Sequence, residues 1–219
     1  MFENLFAILN KLASRFRELL RMDKNKQIKF SQSRGNFELY DWTRTLVGTV
    51  LAVVLVFTFA ARIMLVDGES MRETLQNGDG LLIVNAQYCG VYRPNDIVIV
   101  RKASFYNGKP IVKRVIATAG QTVDIDFDNG SVCVDGQELV EPYIRETTHL
   151  QEGTTFPLTV PVGCVFVMGD NRNDSDDSRD PALGVVDTRY IIGRAVFLVF
   201  PGKTAELDKM EFSRIGSLA

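Results

Sequence analysis

The chain is expected to be mainly β: a compact antiparallel barrel- or sandwich-like domain behind one N-terminal transmembrane helix. Three observations predict this. Short β-branched runs broken by turn residues recur throughout the second half of the sequence. A single uncharged stretch of membrane length lies near the start. No long helical period appears after it.

Residues 1–45 form a basic arm, with nine Lys/Arg against five Asp/Glu. Within it, Met1 to Met22 places Phe2, Leu5, Phe6, Leu9, Leu12, Phe16, Leu19 and Leu20 at helical spacing. That pattern reads as an amphipathic helix, lying on a membrane surface or against a partner protein. Gln27 to Asn36 reads as a polar linker.

Residues 46–66 are expected to be the transmembrane helix. Leu46 to Ala61 carries no charge, Arg62 interrupts, and Ile63-Met-Leu-Val66 resumes the apolar pattern. Counted through Val66, the segment crosses about 30 Å of hydrocarbon as a helix, with Arg62 snorkelling at the far end. Tyr40 and Trp42 suit the near interface. The basic arm predicts that the N-terminus stays in the cytoplasm and that residues 67–219 lie outside. A cleavable signal peptide is the rival reading, against which stands a preceding region of about 45 residues, longer than the usual form.

Residues 67–219 are expected to form the outer β domain. Leu81–Val84, Asp96–Val100, Pro110–Ala117, Thr122–Phe127, Ser131–Val134, Cys164–Met168 and Ile191–Phe200 read as strands. Asp128-Asn129-Gly130 and Asp135-Gly136 are hairpin turns. Asp170 to Asp187 is too polar and irregular for either a strand or a helix.

Composition narrows the chemistry. The outer segment carries fifteen Lys/Arg and twenty-two Asp/Glu, which argues against nucleic acid as a partner. Cys89, Cys133 and Cys164 lack metal-ligand spacing, and His149 is the only histidine, so no zinc constellation can be assembled. The cysteines read as buried thiols, with one disulfide as the alternative if the domain is extracytoplasmic. A serine nucleophile needs a base. Ser70 follows closely on the apolar stretch, and Lys113 lies in a strand between Ile111 and Val115 on its own face. Desolvation there disfavours the ammonium, and a neutral amine can take a serine proton. Read alone, either residue is equally an ordinary strand or turn residue.

The surrounding motifs carry more. Gly68-Glu-Ser70-Met71-Arg-Glu-Thr74-Leu75, Lys113-Arg114-Val115-Ile116 and Gly169-Asp170-Asn171-Arg172-Asn-Asp-Ser175-Asp-Asp177-Ser178-Arg179 follow the membrane segment in that order. Tyr92 to Val100 and Gly193-Arg194-Ala195 add two weaker matches. Over residues 40–200 this resembles the bacterial type I signal peptidases, in their compact Gram-positive-like form. These are membrane-anchored serine proteases that release signal peptides from exported preproteins. The resemblance implies Ser70 as nucleophile and Lys113 as general base. It implies that Ser175 hydrogen-bonds and orients the lysine amine, with Asp177 and Arg179 as an ion pair beneath the site. Met71 is expected to pack against the lysine stem or the substrate pocket, with core packing as the alternative.

The implied partners are signal-peptide-bearing preproteins and the lipid bilayer, and the implied chemistry requires no metal or cofactor. Two departures stand out. Gly68 occupies the place where some family members carry an oxyanion-stabilising hydroxyl, and Glu73 stands where the family usually has proline. The alternative reading is a signal-peptidase-like accessory protein, non-catalytic or dedicated to one substrate in pilus or envelope assembly.

Overall fold

A computed structural model describes residues 34–203 and 210–218. The expected amphipathic helix at Met1 to Met22 lies outside the described residues. The chain divides into two compact units, Met1–Val56 and Phe57–Ala219.

Helix α1 spans Arg34–Phe59. Its segment Leu39–Phe59 has a mean hydropathy of 1.7, and none of its residues is buried. At 1.5 Å per residue, those 21 residues extend about 30 Å, the thickness of a bilayer's hydrocarbon core. Tyr40 and Trp42 are exposed near its start.

The helix ends earlier than the sequence predicts. Ala61–Leu65 is strand β1, paired antiparallel with β2 (Gly80–Asn85) in the register Ala61↔Val84 to Leu65↔Gly80. Asn85 Nδ2 and Gln87 Nε2 donate to the carbonyl of Phe59 at 2.7 and 3.0 Å, satisfying a helix-end acceptor. Arg62 is therefore a strand residue, and its Nε donates to Asn85 Oδ1. A helix through Val66 and a snorkelling Arg62 are both corrected.

The second unit is mainly antiparallel β. After a four-residue helix, α2 (Ala86–Cys89), come β3 (Ile97–Val100), β4 (Ile111–Thr118), β5 (Thr122–Asp126), β6 (Ser131–Val134) and β7 (Gln137–Glu138). Then follow β8 (Leu158–Thr159), β9 (Cys164–Met168), β10 (Val186–Asp187), β11 (Ile191–Phe200) and β12 (Gly216–Ser217). One sheet has the order β1-β2-β11-β3-β4-β9-β10, with β12 on β11, and the other has the order β7-β6-β5-β8. The β6–β7 turn at Asp135-Gly136 has φ of 53° and 77°, the doubly left-handed backbone that this dipeptide accommodates.

The central strands are buried on both faces, and successive residues of β3 and β9 go to different clusters. Val98, Val100, Val115, Val165 and Val167 form one cluster. Ile116, Val123, Ile125, Val132, Phe166 and Met168 form another, drawn from both sheets. A third joins Met71 and Leu75 to Leu81, Ile83, Ile97 and Leu198, so the turn after Ser70 is pinned into the core. All three thiols are unpaired, Cys89 buried and the others half-buried.

Candidate active site

Residues 66–79 leave β1 and return to β2 as a loop closed at its neck. Val66 N–H donates to Asp79 O at 2.8 Å, and Gly78 N–H donates to Val66 O at 2.9 Å. Within the loop, the Met71 carbonyl accepts from Thr74 and Leu75, at 3.1 and 2.8 Å. Met71 is 2% exposed, so the turn hangs from a buried side chain that also borders the cleft. Glu73 sits in this turn at φ +89°. Proline fixes φ near −65°, so the family's residue does not fit this backbone.

Lys113 reaches the turn from β4. Its cross-strand partner is Val98, and such partners share a face, which places the lysine stem beside the apolar cluster around Val98 and Val115. Lys113 Nζ lies 2.6 Å from Ser70 Oγ, and the lysine is 3% exposed. Burial depresses its pKa, while the charges of Asp177 and Glu152 pull it back up. It comes to rest at about 8, below the ordinary 10.5.

The segment 169–179 packs beneath this pair. Asn171 N–H donates to Ser70 O at 3.0 Å, and Asn171 Nδ2 donates to Glu69 O at 3.2 Å. A side chain on Gly169 would collide with Ser175 Oγ and with the Ser70 carbonyl, so only glycine fits there. Arg179 grips Asp177 in a bidentate pair, Nε to Oδ1 and Nη2 to Oδ2, each at 2.8 Å, and both residues are fully buried. Asp177 Oδ2 also accepts from Gly169 N–H and from Ser175 Oγ, each at 2.9 Å.

Ser175 lines the cleft alongside Lys113, but its hydroxyl donates to Asp177. Among the described residues, no hydrogen bond joins Ser175 to Lys113, so the expected direct contact is not the one found. Gly68 has φ +114° and lines the cleft, and its amide donates to Asn77 Oδ1 at 3.2 Å. His149 is not a cleft residue. Its ring nitrogens engage Thr147 Oγ1 at 2.8 Å and Phe127 O at 2.9 Å.

Two further buried ion pairs were not legible as such in the sequence. Arg114 holds Asp170 through Nε–Oδ1 at 2.8 Å and Nη2–Oδ2 at 2.6 Å, with its guanidinium 3.9 Å from the centre of the Tyr143 ring. Arg172 pairs with Glu141 and donates to Thr148 Oγ1 at 3.0 Å and to the Gly169 carbonyl at 3.1 Å. Through these contacts, residues 169–172 are tied to β4, to the turn carrying Ser70 and to the segment at Glu141.

Above the pair lies a cleft of about 550 Å³, lined on one side by Met64, Leu65 and Val66 and on the other by Ile111, Val112 and Lys113. β1 is a terminal strand of its sheet. On β4, the pairing with β9 begins only at Arg114, which leaves Ile111–Lys113 bordering the cleft. A groove flanked by strand edges suits an extended peptide, which can add main-chain hydrogen bonds to them. A buried amine beside a serine hydroxyl on its floor fits the serine peptidases.

The similarity to known proteins narrows that class. The family described as "Signal peptidase, peptidase S26" matches residues 39–200, and the chain belongs to it. Signal peptidase I of Bacillus licheniformis is 34% identical over 174 residues, covering 74% of this chain and 89% of that protein. Signal peptidase I T of Bacillus subtilis (strain 168) is 32% identical over 191 residues, covering 82% and 94%. A probable signal peptidase I-1 of Synechocystis is 38% identical over 165 residues, covering 71% and 79%.

Proposed function

We propose that this chain is a membrane-anchored serine endopeptidase that cleaves N-terminal signal peptides from exported preproteins through a Ser70–Lys113 dyad. The observation that carries the reading is the 2.6 Å contact between Ser70 Oγ and a lysine amine buried enough to lose its proton near pH 8.

In the proposed reaction, the preprotein lies extended between β1 and the start of β4. Small residues one and three positions before the cut face the apolar wall. Neutral Lys113 takes the Ser70 proton as Oγ bonds to the scissile carbonyl carbon. The Ser70 N–H is one donor to the oxyanion. Lys113 then gives that proton to the leaving amine as the C–N bond breaks, leaving an acyl-enzyme. Water attacks the ester, Lys113 takes its proton, and the acid leaves as Ser70 regains a hydrogen. Asp177, fixed by Arg179, holds Ser175 and Gly169 in place under the pair, and no metal or cofactor takes part.

Helix α1 anchors the chain in the bilayer, with the basic arm in the cytoplasm and the catalytic unit outside, as the charge distribution favours. The test is cleavage of a preprotein bearing an Ala-x-Ala site by the full chain in detergent. Mass analysis should place the cut after the last Ala. An intact preprotein, or a cut elsewhere, would count against the reading.

A further inference from the structure

Glu152 belongs to no motif and has no part in the reaction just described, yet it lies against the support of the dyad. Its Oε2 accepts the Asp177 N–H at 3.4 Å. Its Oε1 is buried and, among the described residues, has no hydrogen-bond partner. The strand of chain around it is fixed by Thr154 N–H donating to Arg179 O at 2.9 Å and by Thr154 Oγ1 donating to Ser178 O at 3.1 Å. A carboxylate oxygen desolvated and left without a donor is costly, so the site favours a proton on Glu152.

We propose that Glu152 is a positioning residue of the dyad: wedged against Asp177 with one oxygen unpartnered, its charge sets how tightly Lys113 holds its proton. This rests on the reading of Lys113 as the base. The charged groups facing Glu152 are Asp177, Arg179 and Asp180. Those facing Lys113 are Asp177, Glu152, Arg179 and Asp170. Burial, reinforced by Asp177, pushes the Glu152 carboxyl up to about 7.

The sign follows from the charges. When Glu152 ionises, its negative charge stabilises the Lys113 ammonium and delays formation of the free amine to higher pH. Glu152 thus restrains the base across the neutral range, and a neutral side chain of the same shape should release it.

Glu152→Gln supplies that side chain, and Glu152→Asp keeps the charge. Cleavage of an Ala-x-Ala preprotein should be followed from pH 6 to 9 with the full chain in micelles. A fall of half a pH unit in the Lys113 midpoint, from about 8, raises the free-amine fraction about twofold near pH 7.5. Glu152→Gln should therefore be up to about twofold faster than wild type near pH 7.5, where Glu152 is mostly ionised. It should approach wild type near pH 6, where Glu152 is itself protonated, and near pH 9, where the amine is free in both. Glu152→Asp should keep the wild-type limb.

The second readout does not depend on catalysis. In Ser70→Ala protein carrying lysine labelled with carbon-13 at Cε, the Lys113 resonance is assigned by its loss in Lys113→Ala, and its titration midpoint should fall when Glu152→Gln is added. Superimposable midpoints would overturn the inference, as would a uniform loss of rate at every pH. Full activity of Lys113→Ala would instead sink the dyad, while the titration still decides whether Glu152 acts on Lys113.

Discussion

Replacing Lys113 with Met removes the amine and keeps the length and apolar stem of the side chain. The buried amine holds a proton less well than the same amine in the unfolded chain, its pKa falling from 10.5 to about 8. Below about pH 8 the native state carries a buried ammonium, and the penalty is fully present. Between about 8 and 10.5 the unfolded chain binds more protons than the native one, so stability climbs with pH, and above 10.5 the penalty is gone. The fall in pKa corresponds to about 3 kcal/mol.

The stability gap between Lys113→Met and wild type should therefore shrink by about 3 kcal/mol between pH 7 and pH 10.5, moving in the wild type's favour. Taking the difference between the two proteins cancels the titration of the groups that do not interact with Lys113. Urea unfolding followed by circular dichroism of the sheet provides the assay. Tryptophan fluorescence does not, because the only tryptophan, Trp42, lies in α1. A gap that stays constant across this range would refute the claim that Lys113 is buried with a weakened hold on its proton.

Gly169→Ala should cost about 1–3 kcal/mol through overpacking. Displacing Ser70 by about 1 Å should also lower kcat by roughly a hundredfold. Thermal unfolding and cleavage rates check both. Glu73→Gly should stabilise the turn by about 1 kcal/mol, because glycine adopts its φ of +89° without strain. Glu73→Pro, although it restores the family's usual residue, should destabilise the protein, and urea midpoints of the two variants should move in opposite directions.

Much of the β unit was legible because its strands carry their own signal. Ser131–Val134, Cys164–Met168 and Ile191–Phe200 are β-branched or apolar runs between turn residues, and β6, β9 and β11 occupy those bounds. The end of α1 was not legible. Ile63-Met-Leu-Val66 is apolar throughout, and such a run continues a helix as readily as it makes a strand. Its pairing with β2 decides the matter, and only the folded chain displays that pairing. The two-residue strands β7, β8, β10 and β12 likewise owe their form to their partners.

The site divides in the same way. Ser70 and Lys113 emerge from motif and alternation, and the structure brings their side chains together. The charged stretch from Asp170 to Arg179 reads as solvated in isolation, yet Asp170, Arg172, Asp177 and Arg179 are all fully buried. The partners that permit this for Asp170 and Arg172 are Arg114 and Glu141, which lie far away in sequence. Glu152 gave no signal at all, since its significance lies in what it fails to touch.

The most direct test of the dyad is to compare wild type, Ser70→Ala and Lys113→Ala in cleavage of one Ala-x-Ala preprotein, after confirming that all three are folded. Cleavage by the wild type alone is the predicted result. Cleavage at the wild-type rate by either variant would contradict the account.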